Sequence, residues 1–154
     1  KGTIFFSVLD SLTSKPIETE IYFSPAQIST LMKDLQKRAD LFRQTGGVHS
    51  SALGTAEGII SFCEDIGRHN AVDKLLGECI DKEISLEDKM LITSGRLSSE
   101  ILLKAAKIGI PVLLSRAAPS SLSVELARKL GITMVGFIRG KRMNIYAGEW
   151  RIKE

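Results

Sequence analysis

An eleven-residue stretch, residues 64–74, constrains the fold of this chain more than any other. It follows an apolar run, residues 58–63, that is typical of a buried strand. After the turn, apolar residues recur at helical spacing, at Ala71, Val72, Leu75, Leu76, Cys79 and Ile80. The stretch therefore predicts a strand, a short polar turn and a helix. In an α/β protein, such a turn presents free backbone N–H groups and the positive end of the helix dipole to a ligand.

The polar turn combines a carboxylate, a guanidinium, an imidazole and an amide, supplied by Asp65, Arg68, His69 and Asn70. Two interpretations remain open from these residues alone. In the first, Asp65 caps the helix and pairs with Arg68, while the other side chains are solvated. In the second, Asp65, Arg68 and Asn70 bind a ligand. A neutral His69 could then hydrogen-bond that ligand and also Asp65 or Asp73.

Length and composition predict one soluble domain. The chain has 154 residues, of which 44% are hydrophobic and 25% are charged. We interpret residues 1–20 as a partial N-terminal extension of this domain. No apolar run is long enough to cross a bilayer, so we expect no membrane association. The two cysteines do not suggest a disulfide framework, which favours a reducing compartment and the cytoplasm by default.

Helix and strand signals alternate along the rest of the chain. Ser24, Pro25 and Gln27 form a capping-box signature ahead of an apolar face with helical spacing. Residues 90–93, 111–115 and 132–137 are typical of strands, and Ser98 is placed to cap the helix between the first two. The alternation predicts an α/β fold with a mostly parallel sheet, packed helices and an antiparallel hairpin at the C-terminal end.

The glycine pair Gly46 and Gly47 predicts that residues 48–52 form a loop. His49 lies in this loop. Its imidazole is either structural or close to a ligand, because paired glycines often mark the close approach of a ligand or a second backbone segment.

Polar or cationic groups follow four of the predicted strands. In open α/β sheets, ligands bind at the carboxyl ends of the strands. Arginines lie at these ends, and the planar fork of donors of an arginine suits phosphate oxygens. These ends predict a binding site for a phosphorylated small molecule, most simply a nucleotide, formed by Asp65, Arg68, Asn70, Ser94, Gly95, Arg96, Ser115 and residues 137–142. Neither a Walker loop nor a complete dinucleotide fingerprint is present.

The net charge of +3 is concentrated near the C-terminus. Residues 137–154 contain five basic and two acidic residues. Such a patch favours a small anionic ligand over nucleic acid, although a solvated terminal tail would equally explain Arg151 and Lys153.

Other chemistries receive little support from the sequence. The spacing of His49, His69, Cys63 and Cys79 matches no zinc pattern, so we expect no metal site. We interpret both cysteines as small buried hydrophobic residues. The paired motifs of a zinc-dependent base deaminase and the nucleophile elbow of a serine hydrolase are both missing.

Several motifs together resemble one family. They include TGGVH at residues 45–49, EDIGRHNAVDK at 64–74 and SGRLS at 94–98, followed by shorter matches at 109–111, 118–119, 131–133, 136–139 and 144–146. In this order they resemble the formate dehydrogenase accessory sulfurtransferase family, FdhD. The resemblance covers nearly the whole chain from about residue 17 onward, and the eleven-residue motif is highly specific.

The resemblance implies a fold, an activity and a set of partners. The fold would be a cytidine-deaminase-like core, and the protein would act as a homodimer. The activity would be transfer of sulfur from a cysteine desulfurase to the molybdenum bis(molybdopterin guanine dinucleotide) cofactor before formate dehydrogenase receives it. The residues implied to bind this cofactor are Phe137, Ile138, Arg139, Gly140, Lys141 and Arg142.

The chain departs from the family in one important respect. The family carries its persulfide on a Cys-x-x-Cys loop, and the chain contains no such loop. The resemblance places that loop just upstream of Lys1, and Cys63 and Cys79 match core positions. We therefore assign no catalytic residue in this chain, expect it to be inactive alone, and keep His69 and His49 as candidate auxiliary groups. The competing hypothesis is a non-catalytic scaffold that binds a guanine nucleotide.

Overall fold

Six strands and four helices build the protein in the computed structural model, which describes residues 16–42 and 48–154. The strands are β1 (His49–Thr55), β2 (Gly58–Asp65), β3 (Met90–Thr93), β4 (Val112–Ser115), β5 (Thr133–Arg139) and β6 (Arg142–Ala147). The helices are α1 (Pro25–Phe42), α2 (Arg68–Asp81), α3 (Ser99–Ile108) and α4 (Ser121–Leu130), and a short 3₁₀ turn spans Glu149–Arg151. Most of the predicted N-terminal extension, and the pair Gly46 and Gly47, lie outside the described residues.

The strands form one sheet in the order β2-β1-β3-β4-β5-β6. The central strands β3, β4 and β5 pair in parallel, whereas β1 is antiparallel to both β2 and β3, and β6 is antiparallel to β5. The predicted α/β fold and C-terminal hairpin are therefore confirmed. Strands β2 to β5 all end at one edge of the sheet, where β1 and β6 begin. We call this edge the carboxyl edge and the opposite one the amino edge.

One predicted loop is a strand. Residues 48–52 were expected to form a loop, but His49 begins β1, which lies between β2 and β3. Ser50, Ser51 and Ala52 are buried there. Such small residues carry little strand propensity, and they suit this position because α2 packs across β1. Tertiary packing, rather than local preference, makes this segment a strand.

The insertion of β1 also changes the position of β2. The apolar run at residues 58–63 was expected to be a buried strand, but β2 is an edge strand and only partly buried along its length. Ile60 is 46% exposed, at a bulge where the register with β1 shifts between Leu53 and Gly54. A bulge of this kind twists a free sheet edge and discourages pairing with other chains.

Helices cover both faces of the sheet. On one face, α1 packs Ile28, Leu31, Met32 and Leu35 against the sheet. Its predicted capping box is confirmed, because the Ser24 hydroxyl accepts from the Gln27 N–H at 3.1 Å and the Gln27 side chain accepts from the Ser24 N–H at 2.9 Å. The other three helices form a second apolar core on the opposite face.

Two of these helices have well-defined ends, of which the Ser98 cap was predicted. Ser98 caps α3 and Ser120 caps α4, each through a hydroxyl that accepts a backbone N–H. The helices end at Gly109 and Gly131, which adopt left-handed conformations. Both caps lie near the carboxyl edge, so these helix N-termini add positive potential there.

None of the helices in the described part of the chain has the length and apolar character needed to span a bilayer.

Arg151 is not part of a solvated tail. Its side chain is buried, with 1% relative exposure. The guanidinium donates to the carbonyl oxygens of Ile17 at 3.1 Å, Thr19 at 3.0 Å and Gly131 at 2.5 Å. Burial lowers the pKa of Arg151. This arginine fixes the segment that enters α1 to the amino edge of the sheet, so it does not contribute to a surface basic patch.

Candidate functional site

The carboxyl edge collects the residues that the sequence singled out on four separate strands. His49 joins them, because β1 runs opposite to its neighbours and begins where they end. His49 lies directly across from Asp65 in the β1–β2 register. The strand order therefore brings together groups that are far apart in sequence.

The corner between β2 and α2, residues 65–70, is organised by Asp65. Its carboxylate accepts from the Gly67 N–H at 3.0 Å and forms an ion pair with Lys74 at 2.5 Å. A hydrogen bond from Asn70 adds to this set. The contact with Lys74, followed by that with Gly67, lowers the pKa of Asp65 to about 2. Asp65 therefore pairs with Lys74, and the expected pairing with Arg68 is wrong.

Helix α2 begins earlier than the sequence suggested. Arg68, His69 and Asn70 form its first turn, and Gly67 at the N-cap position provides no side-chain cap. Glycine supplies no hydroxyl or carboxylate there, so the first N–H groups are left to water, a nearby group or a bound anion.

Arg68 lies beside Gly95 and His49. A Cβ atom on Gly95 would be 3.3 Å from the Arg68 Cβ and 3.4 Å from the His49 Nδ1. A side chain at position 95 would crowd both Arg68 and His49. Within the described part of the chain, the Nε of Arg68 has no hydrogen-bond partner and is shielded from solvent. An unsatisfied buried donor is uncommon and often marks a ligand or water position.

His69 is directed away from both of its expected partners. Its Nε2 lies 3.3 Å from the Ser98 hydroxyl and 3.5 Å from a Glu100 carboxylate oxygen. The proposed contacts with Asp65 or Asp73 are wrong, since Asp65 is held by Lys74 and Asp73 pairs with Lys104 at 2.7 Å. His69 instead connects the first turn of α2 to the N-cap of α3.

Two serines at the strand ends shape the loops. The Ser94 hydroxyl accepts from the Ser50 N–H at 3.0 Å. Ser115 is fully buried and donates to the Gly95 carbonyl at 2.6 Å while accepting from the Ala117 N–H at 2.9 Å. The two serine hydroxyls therefore position the loops. Arg96 is exposed at the same edge.

The β5–β6 hairpin carries three exposed cations, Arg139, Lys141 and Arg142, which we call the cationic hairpin. Phe137 has a φ angle of 51°, and its side chain is 41% exposed. A left-handed conformation is costly for a phenylalanine and occurs mainly where the surroundings enforce it. The register shift between Gly136 and Arg139 coincides with it. Ile138 is completely buried, so it supports the hairpin from the core.

Helix α1 contributes two residues that the sequence did not point to. The Ser29 hydroxyl donates to the Gly140 carbonyl at 2.6 Å. Gln36, with its amide oxygen oriented toward Arg116, accepts from Nε at 2.8 Å. Ser29 and Gln36 are seven residues apart and therefore share one side of α1. The seven-residue spacing could have placed both residues on one side of α1. It could not show where α1 lies over the sheet.

The two thiols are poorly suited to nucleophilic chemistry. Cys79 is buried and Cys63 is partly buried. Burial raises the pKa of both, and Glu78 raises that of Cys63 further. Both remain protonated at neutral pH, and the thiol is a weak nucleophile. Across residues 16–42 and 48–154, no cluster of three or more histidine, cysteine or acidic side chains is placed to hold a metal ion.

Fold and site together define an α/β protein with an arginine-rich edge at the carboxyl ends of its strands. The FdhD/NarQ family pattern matches residues 1–153. The chain therefore belongs to the FdhD/NarQ family.

The curated relatives are longer than this chain. The chain is 44% identical over 154 residues to the sulfur carrier protein FdhD of Bacillus subtilis, and the match covers 100% of this chain and 59% of that protein. It is 47% identical over 152 residues to the protein of the same name from Staphylococcus aureus, covering 99% and 57%. The chain thus spans about three fifths of the length of these relatives.

Two solved structures resemble the fold. A crystal structure from Desulfotalea psychrophila, described as a formate dehydrogenase accessory protein, has a TM-score of 0.84 at 35% identity, covering 93% of this chain and 62% of that chain. A diaminohydroxyphosphoribosylaminopyrimidine deaminase/5-amino-6-(5-phosphoribosylamino)uracil reductase from Thermotoga maritima has a TM-score of 0.60 at 15% identity, covering 76% of this chain and 38% of that chain. The second likeness concerns the fold alone.

Proposed function

We propose that this chain is the ligand-binding part of a sulfur carrier protein that serves formate dehydrogenase. The ligand is the molybdenum bis(molybdopterin guanine dinucleotide) cofactor, which the protein binds as a substrate. Sulfur comes from a cysteine desulfurase, and the working protein is a cytoplasmic homodimer. Family membership and the names of the relatives support the sulfur-carrier role.

The observation that carries the ligand proposal is the cationic hairpin beside the strained, exposed Phe137. Arg139, Lys141 and Arg142 are free to meet phosphate oxygens, and guanidinium groups form strong charge-assisted hydrogen bonds to them. The Phe137 ring offers an aromatic face on which a planar base can stack. A guanine nucleotide satisfies both features.

The chemistry of transfer needs a reactive sulfur that this chain does not supply. Cys63 and Cys79 have raised pKa values, so neither is a suitable persulfide carrier. The residues of this chain hold and orient the ligand, and the transferring cysteine lies in the part of the relatives that this chain does not span. The upstream codons test this directly, because a Cys-x-x-Cys sequence just before Lys1 is expected there.

The alternative is a scaffold that binds a guanine nucleotide without sulfur chemistry. The shielding of both thiols favours it for this chain taken alone. A gene that lacks the upstream cysteines would leave the scaffold as the function.

Calorimetry with GDP tests the ligand site. Arg139→Ala and Arg142→Ala should each weaken binding by about 1.5–3 kcal/mol, the usual worth of a hydrogen bond to a charged group. Lys129→Ala, which removes an exposed cation from α4, is the matched control and should bind GDP like the wild type. Wild-type affinity in both arginine variants would remove the hairpin from the site.

A further inference from the structure

We propose that the carboxyl edge contains a second anion subsite, separate from the cationic hairpin and formed by Arg68 and His49 over Gly95. The proposal rests on the proposed function, because it concerns the other end of the same ligand. It predicts a ligand with anionic groups at two distant points, such as a dinucleotide, rather than a single mononucleotide.

The first step is the unsatisfied guanidinium of Arg68. No described residue accepts a hydrogen bond from its Nε, which is cut off from water. A donor in this state destabilises the protein until an acceptor arrives. Because arginine remains charged at any physiological pH, an anion is the strongest acceptor for it.

The second step explains why no carboxylate among the described residues supplies that acceptor. Asp65 is occupied by Lys74 at 2.5 Å and by the Gly67 N–H. Glu64 accepts from the Ser50 hydroxyl at 3.3 Å, and Glu100 lies 3.5 Å from the His69 Nε2. Each carboxylate near the corner has another partner, so Arg68 stays available.

The third step is the shape of the position. The stem of Arg68 and the ring of His49 both approach the point that a Gly95 side chain would occupy. The first turn of α2 adds backbone N–H groups that Gly67 does not cap through a side chain. A guanidinium, an imidazole and a helix N-terminus form a donor set suited to a phosphate.

The fourth step is the distance from the cationic hairpin. Two to four strand spacings separate β1 and β3 from β5 and β6 in the sheet. At about 4.8 Å per spacing, the two subsites are roughly 10–19 Å apart. The phosphates of one GDP cannot occupy both, whereas an elongated ligand that carries several phosphates can bridge them.

Nuclear magnetic resonance of the histidine rings tests the subsite. The chain has only two histidines, so a His69→Gln variant assigns the His49 signals. Inorganic phosphate is titrated into the full chain, with potassium chloride at matched ionic strength as the control. We expect phosphate, and not chloride, to shift the His49 signals in the wild type.

Two variants separate the subsites. Arg68→Gln should weaken the phosphate effect on His49 at least tenfold while leaving GDP affinity unchanged. Arg142→Ala should weaken GDP binding and leave the phosphate effect on His49 unchanged. If Arg68→Gln does not fold, Arg68→Lys keeps the charge without the planar fork and should bind phosphate more weakly than the wild type.

Each result has a distinct meaning. The proposed subsite would be overturned if phosphate did not shift the His49 signals, or if chloride shifted them equally, even if GDP binds normally. An equal loss of GDP affinity in Arg68→Gln and Arg142→Ala would indicate one continuous site and also overturn it. A wild type that responds to phosphate at His49 but fails to bind GDP would refute the proposed function and leave the subsite intact.

Discussion

At the scale of single residues, the pairing of Asp65 with Lys74 gives the corner a specific response to acid. Asp65 titrates near pH 4 in an unfolded chain and at about 2 in the folded protein. Because the folded pKa is the lower one, the carboxylate stabilises the fold fully above about pH 4, and this contribution is lost as the pH falls toward 2.

Asp65→Asn should therefore flatten the dependence of stability on pH between about 4 and 2. Asparagine keeps an oxygen for the Gly67 N–H and loses the charge that pairs with Lys74. Urea unfolding at a series of pH values measures the effect. Asp73→Asn, which removes a more exposed ion pair with Lys104, is the control and should change the slope less. An unchanged slope in Asp65→Asn would contradict the assignment.

We expect Phe137 to strain the backbone of the folded protein and also to contribute to GDP binding. Glycine adopts a φ of 51° without a Cβ clash, so Phe137→Gly should be at least as stable as the wild type in thermal unfolding. The same variant should lose about 1–3 kcal/mol of GDP affinity, the range observed when an aromatic stacking partner is removed. Phe137→Tyr, which keeps the ring, should retain binding. A clear loss of stability in Phe137→Gly would show that the ring supports the fold instead.

Residue types at the site could be predicted from sequence, but their partners could not. The arginines and serines named at the strand ends and the two histidines were singled out, whereas Ser29 and Gln36 on α1 were not. The register between β1 and β2 decides that His49 faces Asp65, and the approach of α2 to α3 decides that His69 contacts Ser98. Both contacts depend on long-range packing, which local patterns do not encode.

At the scale of elements, capped helices were predictable and β1 was not. The caps at Ser24 and Ser98 are local hydrogen bonds, and local sequence specifies them. Strand β1 is specified by its neighbours, since small side chains allow α2 to approach it. The misassigned β1 also explains why β2 was expected in the interior.

Two glycines should respond in opposite ways to alanine. Gly136 lies against its neighbours, and an added Cβ would be 2.9 Å from the Tyr146 ring and 3.1 Å from the Ala117 carbonyl. Gly136→Ala should destabilise the protein by about 1–3 kcal/mol through overpacking. Gly77 lies in α2 with open space around it, so Gly77→Ala should stabilise the protein by about 0.4–1 kcal/mol. Urea unfolding of both variants measures the contrast, and equal effects would contradict this packing of the hairpin.

At the scale of the whole molecule, the two edges of the sheet have different roles. The carboxyl edge collects exposed cations and the unsatisfied Arg68. The amino edge is closed by Arg151, which binds the segment preceding α1 to the start of β5. The sequence indicated the first edge through arginines that follow strands. It could not indicate the second, because an arginine near a chain end resembles any solvated charge.

We therefore expect substitution of Arg151 to have the largest effect on global stability. Its guanidinium donates to four backbone carbonyls, those of Ile17, Thr19, Pro111 and Gly131, and burial keeps water from replacing it. Arg151→Met leaves those carbonyls without their donor, so unfolding in urea should show a loss of about 2–4 kcal/mol. Arg151→Lys should recover only part of this, since one ammonium group cannot match the planar fork.

Amide hydrogen exchange distinguishes a local from a global effect of the same variant. The Ile17 N–H donates to the Leu130 carbonyl at 2.8 Å, and the Phe23 N–H donates to the Arg151 carbonyl at 2.8 Å. Loss of the guanidinium should release the Ile17 amide first, because Ile17 loses its direct contact with Arg151, whereas Phe23 binds only the backbone of that residue. Arg142→Met, which removes an exposed arginine, should leave both amides protected and change stability by no more than about 0.5 kcal/mol. Unchanged stability and unchanged exchange at Ile17 in Arg151→Met would mean that the segment before α1 is held by other contacts.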